Sequence, residues 1–524
     1  MKQKNAIINK QNFNYAFFQQ LKKYLLKKAT FEEEKTANEA LFYIEQLAKF
    51  NAQLHTGLFA DADLENLALH IGKKLETIVN QTFIETINNE YLAEIDMDKR
   101  NVLHIFTRFA NVGGHTRIVK NWFQLDNKHT CHHVLLLDQT TELPSFINDS
   151  LLQNIIQLPA AESRLRKAYI LRHILRNNRF QNVILHTHPH DTVPLVALAN
   201  DASCSVALFN HADHLFGLGS SVADVILDFR GFSQNISLER RMAKKSVVLP
   251  MPIEIKKMPI NKKDARDFLE IPDEQIALVT INTENKFQPT EKHNFYRTAK
   301  KLLAKHKQAH IYMIGVSESD FYKHGNTEKI ERLHTLGRIE NPIHYFAAAD
   351  IYLEGFPIGS GMGSIEFGLQ AVCLVPQYSP SSHLLSLSSY NSLEGAIEIC
   401  ENESDYISYI SDLIDSPTKR TQLGKDIQTR LYAQHLPAAW QNYLRKAYAL
   451  LDTKTHRPKN IARTFPRKTS EDISLTALRL NMPCLIIAQP LLKHLPKWLI
   501  LSLFFKSYWN GDVSLQYLYK RYGK

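Results

Sequence analysis

From about residue 100 the chain consists of short apolar runs, each ending in a polar or glycine-containing turn and followed by a segment able to carry a helix. The runs are 102–106 (VLHIF), 133–138 (HVLLLD), 183–188 (VILHTH), 205–211 (SVALFNH), 224–229 (DVILDF) and 246–250 (SVVLP), with helical segments at 116–126, 161–178 and 192–201. They are too short for buried helices and too continuously apolar for strands with one wet face. Strands that alternate with helices lie parallel, and the helices cover both faces of the sheet, so the pattern predicts a doubly wound α/β domain. A Pro- and Lys-rich passage at 250–264 (PMPIEIKKMPINKKD) reads as a linker. The alternation then restarts with 276–281 (IALVTI), a helix over 291–306, 309–315 (AHIYMIG), 333–339 (LHTLGRI), a short helix over 342–349, 350–354 (DIYLE), a helix from 363 and 371–376 (AVCLVP). Two such domains in succession imply a cleft between two sets of strand C-termini, where sheets of this kind bind ligands.

Residues 1–98 contain almost no Gly or Pro, and apolar positions recur at helical spacing, as in Leu41, Tyr43, Ile44, Leu47 and Leu67, Leu69, Ile71, Leu75, Ile78. The expected organisation is a helical domain over 1–98, a first doubly wound domain over 99–255, a second over 256–451, and a basic linker with an amphipathic helical tail over 452–524. Helical patterns from 403 to 451 are expected to pack back across the cleft. In the tail, Leu485, Leu491, Trp498, Leu499, Leu503, Phe504 and Phe505 sit among Lys493, Lys497 and Lys506. That pattern suits either a last helix packed on the body or an interfacial anchor on an anionic leaflet.

Hydrophobic residues at 44% and charged ones at 22% exclude a disordered chain. Lys+Arg 63 against Asp+Glu 53 gives a formal charge of +10, which suits an anionic partner such as a nucleoside diphosphate or a membrane surface. No basic patch is interleaved with aromatics, which argues against nucleic acid. The five cysteines lie far apart with no C-x-x-C pair, and there is no secretory apolar core or 18-residue apolar span. A cytoplasmic protein is expected, peripheral to the inner face of the membrane if the tail binds it.

The strongest local signal is 349–376 (ADIYLEGFPIGSGMGSIEFGLQAVCLVP). A strand ends at Glu354, a loop carries Gly355, Gly359, Gly361 and Gly363, and a helix begins near Ser364. Such a loop lets backbone N–H groups approach a diphosphate closely, and the helix N-terminus adds partial positive charge. The backbone of Gly359, Ser360, Gly361, Met362, Gly363 and Ser364 is the candidate cradle, and Glu366 is placed to accept from ribose hydroxyls or to complement the helix dipole. A second strand end, 280–289 (TINTENKFQP), carries Asn282 and Lys286; an ammonium there could neutralise charge on a departing phosphate.

Together the two motifs resemble the nucleotide-binding half of GT-B glycosyltransferases related to glycosyltransferase family 41, the O-GlcNAc transferases and bacterial asparagine-directed glucosyltransferases. Asn282, Lys286 and Pro289 match one motif. Ala349, Asp350, Leu353, Glu354 and, twelve positions on, Glu366 match the other, and 368–376 parallels the strand that follows. The match covers about a hundred residues, and family 4 is the second choice. The resemblance implies a GT-B fold in which Lys286 and the 359–364 backbone hold donor phosphates and Glu366 holds the ribose. Where the family commonly has Asp, this chain has Glu366, and where it often has His or Thr, this chain has Gly361, Met362 and Gly363.

In the first half, 107–122 (TRFANVGGHTRIVKNW) sets Gly113 and Gly114 between a strand and a helix, with His115 and Arg117 as charged contacts for donor or acceptor; a plain tight turn explains the glycines equally well. His186, His188 and His190 alternate as metal ligands would, but no second ligand cluster accompanies them, so no metal is expected. His211, just beyond a strand, is the candidate general base, with a structural histidine as the competing reading. The function expected is transfer of a hexose, glucose in the first instance, from a UDP-sugar to a protein, protein-linked glycan or surface-polysaccharide acceptor. No cofactor or essential metal is needed, because positioning and charge stabilisation by Lys286, amides and helix dipole carry the reaction. The helical first hundred residues resemble in kind the acceptor domains ahead of family 41 catalytic halves, which favours a protein or glycoprotein acceptor over a lipid-linked one. The competing function is a non-catalytic nucleotide-sugar sensor or scaffold at the membrane surface.

Overall fold

The computed structural model describes residues 2–87, 93, 95–109, 114–143, 154–201, 203–253, 260–290, 293–378, 393, 396–453 and 459–512. The chain divides into two compact units, Met1–Leu249 with Gln441–Lys524, and Pro250–Trp440.

In the first unit, helices Lys2–Lys28, Glu34–Leu54 and Ala62–Lys73 precede the sheet. Asp61 starts the third of these as N-cap, its Oδ1 accepting from the amides of Asp63 and Leu64 at 3.1 Å. Strands β1 (Arg100–Phe106), β2 (Thr130–Leu136), β3 (Asn154–Gln157), β4 (Asn182–His186), β5 (Ser205–Phe209), β6 (Val225–Asp228) and β7 (Ser246–Val248) form one parallel sheet in the order β3-β2-β1-β4-β5-β6-β7. Six of these strands answer to the apolar runs; β3 was not expected. Residues 1–98, set apart by their sequence pattern, share one continuous apolar core with this sheet and with the tail: Phe18, Leu47 and Leu69 pack in the same cluster as Leu103, Val183, Leu491 and Leu503.

Two buried polar side chains stitch the N-terminal helices to the sheet's connections. Glu65 is fully buried and accepts the amides of Gly219, Ser220 and Ser221 at 2.7–3.2 Å. Arg172, on helix Arg164–Asn177, donates to the carbonyls of Gly72, Val196 and Ala197 and forks onto the Glu76 carboxylate at 2.9 Å. Every donor of a buried guanidinium needs an acceptor, and here backbone from two elements supplies them.

The second unit holds β8 (Ile276–Ile281), β9 (Ala309–Ile314), β10 (Leu333–Thr335), β11 (Ile351–Leu353) and β12 (Cys373–Val375), all parallel, in the order β10-β9-β8-β11-β12. All five coincide with expected runs. The order reverses between β8 and β11, and in the first unit between β1 and β4, so each sheet has a topological switch point. Helices Glu403–Asp415 and Pro417–His435 follow, and helix Pro437–Asp452 carries the chain from the second unit to the first.

In the tail, Cys484, Leu485, Leu491, Leu499 and Leu503 are core residues, so its helices pack on the first unit. The opposite face of the last helix, Lys497–Trp509, is open: Trp498 is 64% exposed and Trp509 79%, with Leu501 and Phe505 between them more than half exposed. Among the described residues no helix is long and apolar enough to cross a membrane.

Candidate functional site

The second unit builds its site at the switch point. The loop after β8 is a 3-10 turn, Glu284–Phe287, and the loop after β11 runs into helix Gly361–Leu369. Because β8 and β11 are paired neighbours, both loops emerge side by side at the strands' C-terminal ends. Asn282 locks them together: its side-chain amide donates to Ile358 O at 2.9 Å while its Oδ1 accepts from the Thr283 amide. Lys286 Nζ donates to Gly359 O at 3.3 Å, so the ammonium is directed at the glycine-rich bend. Burial pulls its pKa down from the ordinary lysine value, opposed by the charge of Glu354. A phosphate beside it would act in the same sense as Glu354 and favour the charged form.

The helix start has the composition of an anion cradle. Ser360 is the N-cap, its Oγ accepting from the Gly363 amide at 3.3 Å, and Ser364 N makes the first helical bond to Ser360 O at 3.0 Å. Among the described residues no group accepts from the amides of Gly361 and Met362, the first two helical positions, which are the donors a helix leaves for a ligand. Ser364 Oγ donates to Ser360 O at 2.8 Å and to the fully buried Glu354 at 3.3 Å, which fixes the start of the helix to the end of β11. Glu366 lies on this helix, half-buried, six positions into it. Asp350, part of the matched motif, has a structural role instead: it accepts from the Ala277 amide at 2.8 Å and pairs with Lys262 and Arg266 at the opposite end of the sheet.

In the first unit, Gly114 opens helix Gly114–Asp126 after β1, and Arg117 is exposed on its first turn. Gly113 and the His115 side chain lie outside the described residues. His211 follows β5, half-buried, with Nε2 2.9 Å from Nδ1 of His186. The three alternating histidines do not share one side: His186 ends β4 and points to His211, whereas His188 and His190 sit in the following turn with ring centroids 5.4 Å apart. Among the described residues no group of three His, Cys, Asp or Glu is arranged to hold a metal ion. Asp213 is held by Arg230 and Ser233, and its carboxyl pKa is pushed far down: burial opposes, but Arg230 and His214 prevail.

What sequence reading missed is the set of side chains behind His211, namely His104 and His132 on β1 and β2. A histidine at an interior position in each of several strands was the available signal.

No protein-family model matches the chain, and no curated protein matches it. Solved structures do. It is similar to a glycosyltransferase from Rickettsia africae (TM-score 0.54, 9% identity, 68% of this chain and 100% of that one). It is similar to a mutant O-GlcNAc transferase from Thermobaculum terrenum (TM-score 0.50, 11% identity, 85% of this chain and 84% of that one). It is also similar to the Anabaena protein HepE solved with UDP and glucose (TM-score 0.50, 11% identity, 66% of this chain and 99% of that one). These likenesses define the fold class: two Rossmann-like parallel sheets with helices ahead of them, as in GT-B glycosyltransferases.

Proposed function

We propose that the chain is a glycosyltransferase that moves a hexose, glucose in the first instance, from a UDP-sugar to a protein, protein-linked glycan or surface-polysaccharide acceptor. The observation that carries this reading is the juxtaposition of Lys286 Nζ with Gly359 O at the mouth of a helix whose first amides lack partners among the described residues. HepE, which shares the fold, has been solved with UDP and with glucose. In the reading, the amides of Gly361 and Met362 and the Lys286 ammonium hold the diphosphate, Asn282 keeps the two loops in register, and Glu366 binds the ribose. As the glycosyl–oxygen bond breaks, charge grows on the diphosphate, where preorganised donors stabilise it more than they stabilise bound substrate. His211 serves as the base toward the acceptor, and the Gly113–Arg117 turn as a contact for donor or acceptor. No metal is required for these roles. A protein or glycoprotein acceptor is favoured over a lipid-linked one by the helices that precede the first sheet.

The test is UDP affinity by calorimetry and UDP release on incubation with UDP-glucose and a panel of acceptors, for wild type and Lys286→Met. A hydrogen bond to a charged group contributes about 1.5–3 kcal/mol, so the variant should bind UDP roughly 10- to 150-fold more weakly and lose turnover. Unchanged affinity in Lys286→Met sinks the donor site. Tight UDP binding without turnover on any acceptor favours the sensor reading.

The same proposal places the protein at an anionic membrane surface. Helix Lys497–Trp509 contains no acidic residue, turns Trp498, Leu501, Phe505 and Trp509 outward, and carries exposed Lys497 and Lys506, with exposed Lys493 just ahead of it. Aromatics beside lysines on one helix face suit the headgroup boundary of anionic lipid. Co-sedimentation with phosphatidylglycerol vesicles should fall at least tenfold in Trp498→Ser/Phe505→Ser; equal binding to neutral vesicles, or none to either, refutes the placement.

A further inference from the structure

His211 is the last of four imidazoles joined head to tail. His132 Nδ1 lies 3.0 Å from His104 Nε2, His104 Nδ1 lies 2.9 Å from His186 Nε2, and His186 Nδ1 lies 2.9 Å from His211 Nε2. The polarity is the same at every step. Strand register produces it. His132 is level with Val102, two residues before His104; His104 is level with Ile184, two before His186; and Leu185 is level with Leu208, which puts His211 two beyond the level of His186. Each step therefore moves one strand across and two residues on, staying on one face of the sheet, a diagonal of about 8 Å that two histidine side chains can bridge. The chain climbs from the middle of β2 to the C-terminal edge, where ligands bind in such sheets.

The array is sealed. His104 is fully buried and His132 and His186 nearly so, and Trp122 and Phe123 of helix Gly114–Asp126 stand edge-on to His104. Burial depresses His104 well below the ordinary value and His132 to about 3, so these rings are neutral near pH 7. A neutral imidazole has one N–H and one lone pair, so fixing the proton on one ring fixes it on all four. At the far end His132 Nε2 faces the Asp126 carboxylate at 3.7 Å, and Tyr448 donates to the same carboxylate at 2.7 Å. The charge of Arg100, paired with Asp452 and stacked over the Tyr448 ring, acts on Asp126, while His133 turns to Asn101 on the other face. At 3.7 Å the contact is one of charge and not a hydrogen bond, but the field of a carboxylate opposite Nε2 of His132 favours that ring's proton on Nε2, which makes Nδ1 an acceptor, and the same choice repeats along the chain.

We propose that Asp126, His132, His104 and His186 form a proton relay that holds the proton of His211 on Nε2 and leaves Nδ1 as its proton-accepting atom. They are positioning residues, acting through His211. In the glycosyl-transfer reading, on which this step rests, the acceptor oxygen bonds to the sugar carbon as the bond to UDP breaks and its electron pair leaves with UDP. The hydroxyl proton goes to His211 Nδ1. The Nε2 proton of His211 passes to His186 Nδ1, that of His186 to His104, that of His104 to His132, and that of His132 to Asp126 as the two close their gap. Each ring ends neutral in the opposite tautomer, and Asp126 ends as the acid. Nδ1 of His211 is buried, so an acceptor hydroxyl reaches it only when the groups covering it move aside.

The test is ring-nitrogen NMR of the full-length protein labelled with 15N-histidine, without donor, alongside steady-state kinetics. Wild type should show His211 protonated at Nε2 and bare at Nδ1. His104→Gln keeps one donor and one acceptor in place but cannot relay, and it does not touch His211. It should nonetheless convert His211 to a mixture of tautomers and lower kcat roughly 10- to 100-fold with the donor KM unchanged. His132→Gln, one ring further back, should act in the same sense and serves if His104→Gln does not fold. A His211 proton on Nδ1 in wild type, or His211 signals unmoved by both variants, overturns the relay whether or not the protein turns over. A fixed tautomer without turnover leaves the relay standing and overturns the glycosyl-transfer reading instead.

Discussion

Two glycines in the bend after β11 differ in what a methyl group would meet, and the difference separates fold from ligand. A Cβ on Gly363 would stand 2.7 Å from Ile281 Cγ2 and 2.7 Å from Ser360 Oγ, closer than such contacts allow. Relief means moving either the end of β8 or the N-cap hydroxyl that accepts from the Gly363 amide. Overpacking costs about 1–3 kcal/mol and a lost cap about 1 kcal/mol. The gain in helix propensity over glycine returns about 1 kcal/mol. Gly363→Ala should therefore destabilise the second unit by roughly 1–3 kcal/mol, or about 2–12 °C in its melting transition for a unit of this size. A Cβ on Gly361 meets only Met251 Cε, at 3.8 Å, an ordinary contact. Gly361→Ala should melt at or slightly above wild type, yet its methyl group occupies the space in front of the first helical amides. UDP affinity should fall at least tenfold, about 1.4 kcal/mol. Calorimetric melting and UDP titration of both variants are the measurements. If Gly363→Ala melts like wild type, the packing argument fails; if Gly361→Ala keeps its fold and full UDP affinity, the diphosphate does not lie against this helix start.

Burial depresses His435 to about 4, with Nδ1–H donating to Met251 O at 2.9 Å, so the unfolded chain takes up a proton near pH 6.5 while the folded one does not. The stability this histidine contributes is full above pH 6.5 and is lost as pH falls to about 4, at about 1.4 kcal/mol per pH unit; urea unfolding across that window should be less steep in pH for His435→Gln, which retains a donor. Arg172→Met should cost about 3–5 kcal/mol in denaturant unfolding, because it removes a buried guanidinium that ties the Gly72, Val196 and Ala197 carbonyls to Glu76 and leaves Glu76 with Arg176 as its arginine partner. Gly315 has φ +91 and a Cβ there would stand 2.0 Å from Asn282 O, so Gly315→Ala should both lower the melting temperature and weaken UDP binding by displacing Asn282; normal binding would separate Asn282 from the site.

How far the molecule could be read from its sequence follows from the range of the forces involved. Parallel strands buried on both faces must be apolar along their length, so eleven of the twelve appeared as runs; Asn154–Gln157 escaped because four residues, two of them polar, carry no such signature. The glycine bend and Lys286 were visible singly, but what brings them together is the pairing of β8 with β11, a fact of strand order that no local spacing encodes. The packing of the N-terminal helices and the tail into one core is equally non-local, since an amphipathic helix records that it has an apolar side and not what covers it.

The four histidines mark the limit of that reasoning. Taken singly, His104, His132 and His186 are each one polar residue at a buried strand position, an apparent liability costing free energy unless it finds a partner. Only the register turns them into partners. A slip of one residue between β1 and β4 would carry His186 to the opposite face of the sheet and leave His104 buried with a ring nitrogen unsatisfied; a slip of two would keep the face but break the diagonal. The imidazole contacts therefore penalise every neighbouring register of the central strands while the apolar residues beside them, Leu103, Ile105, Val183 and Leu185, would tolerate a two-residue shift far better. It follows that replacing His104 and His186 together by Leu should cost less in stability than the sum of the two single changes, because each single change leaves the other ring without its partner and the double change does not. Additive costs in that double-mutant cycle would mean the rings are packed side by side without the hydrogen bonds that the geometry assigns to them.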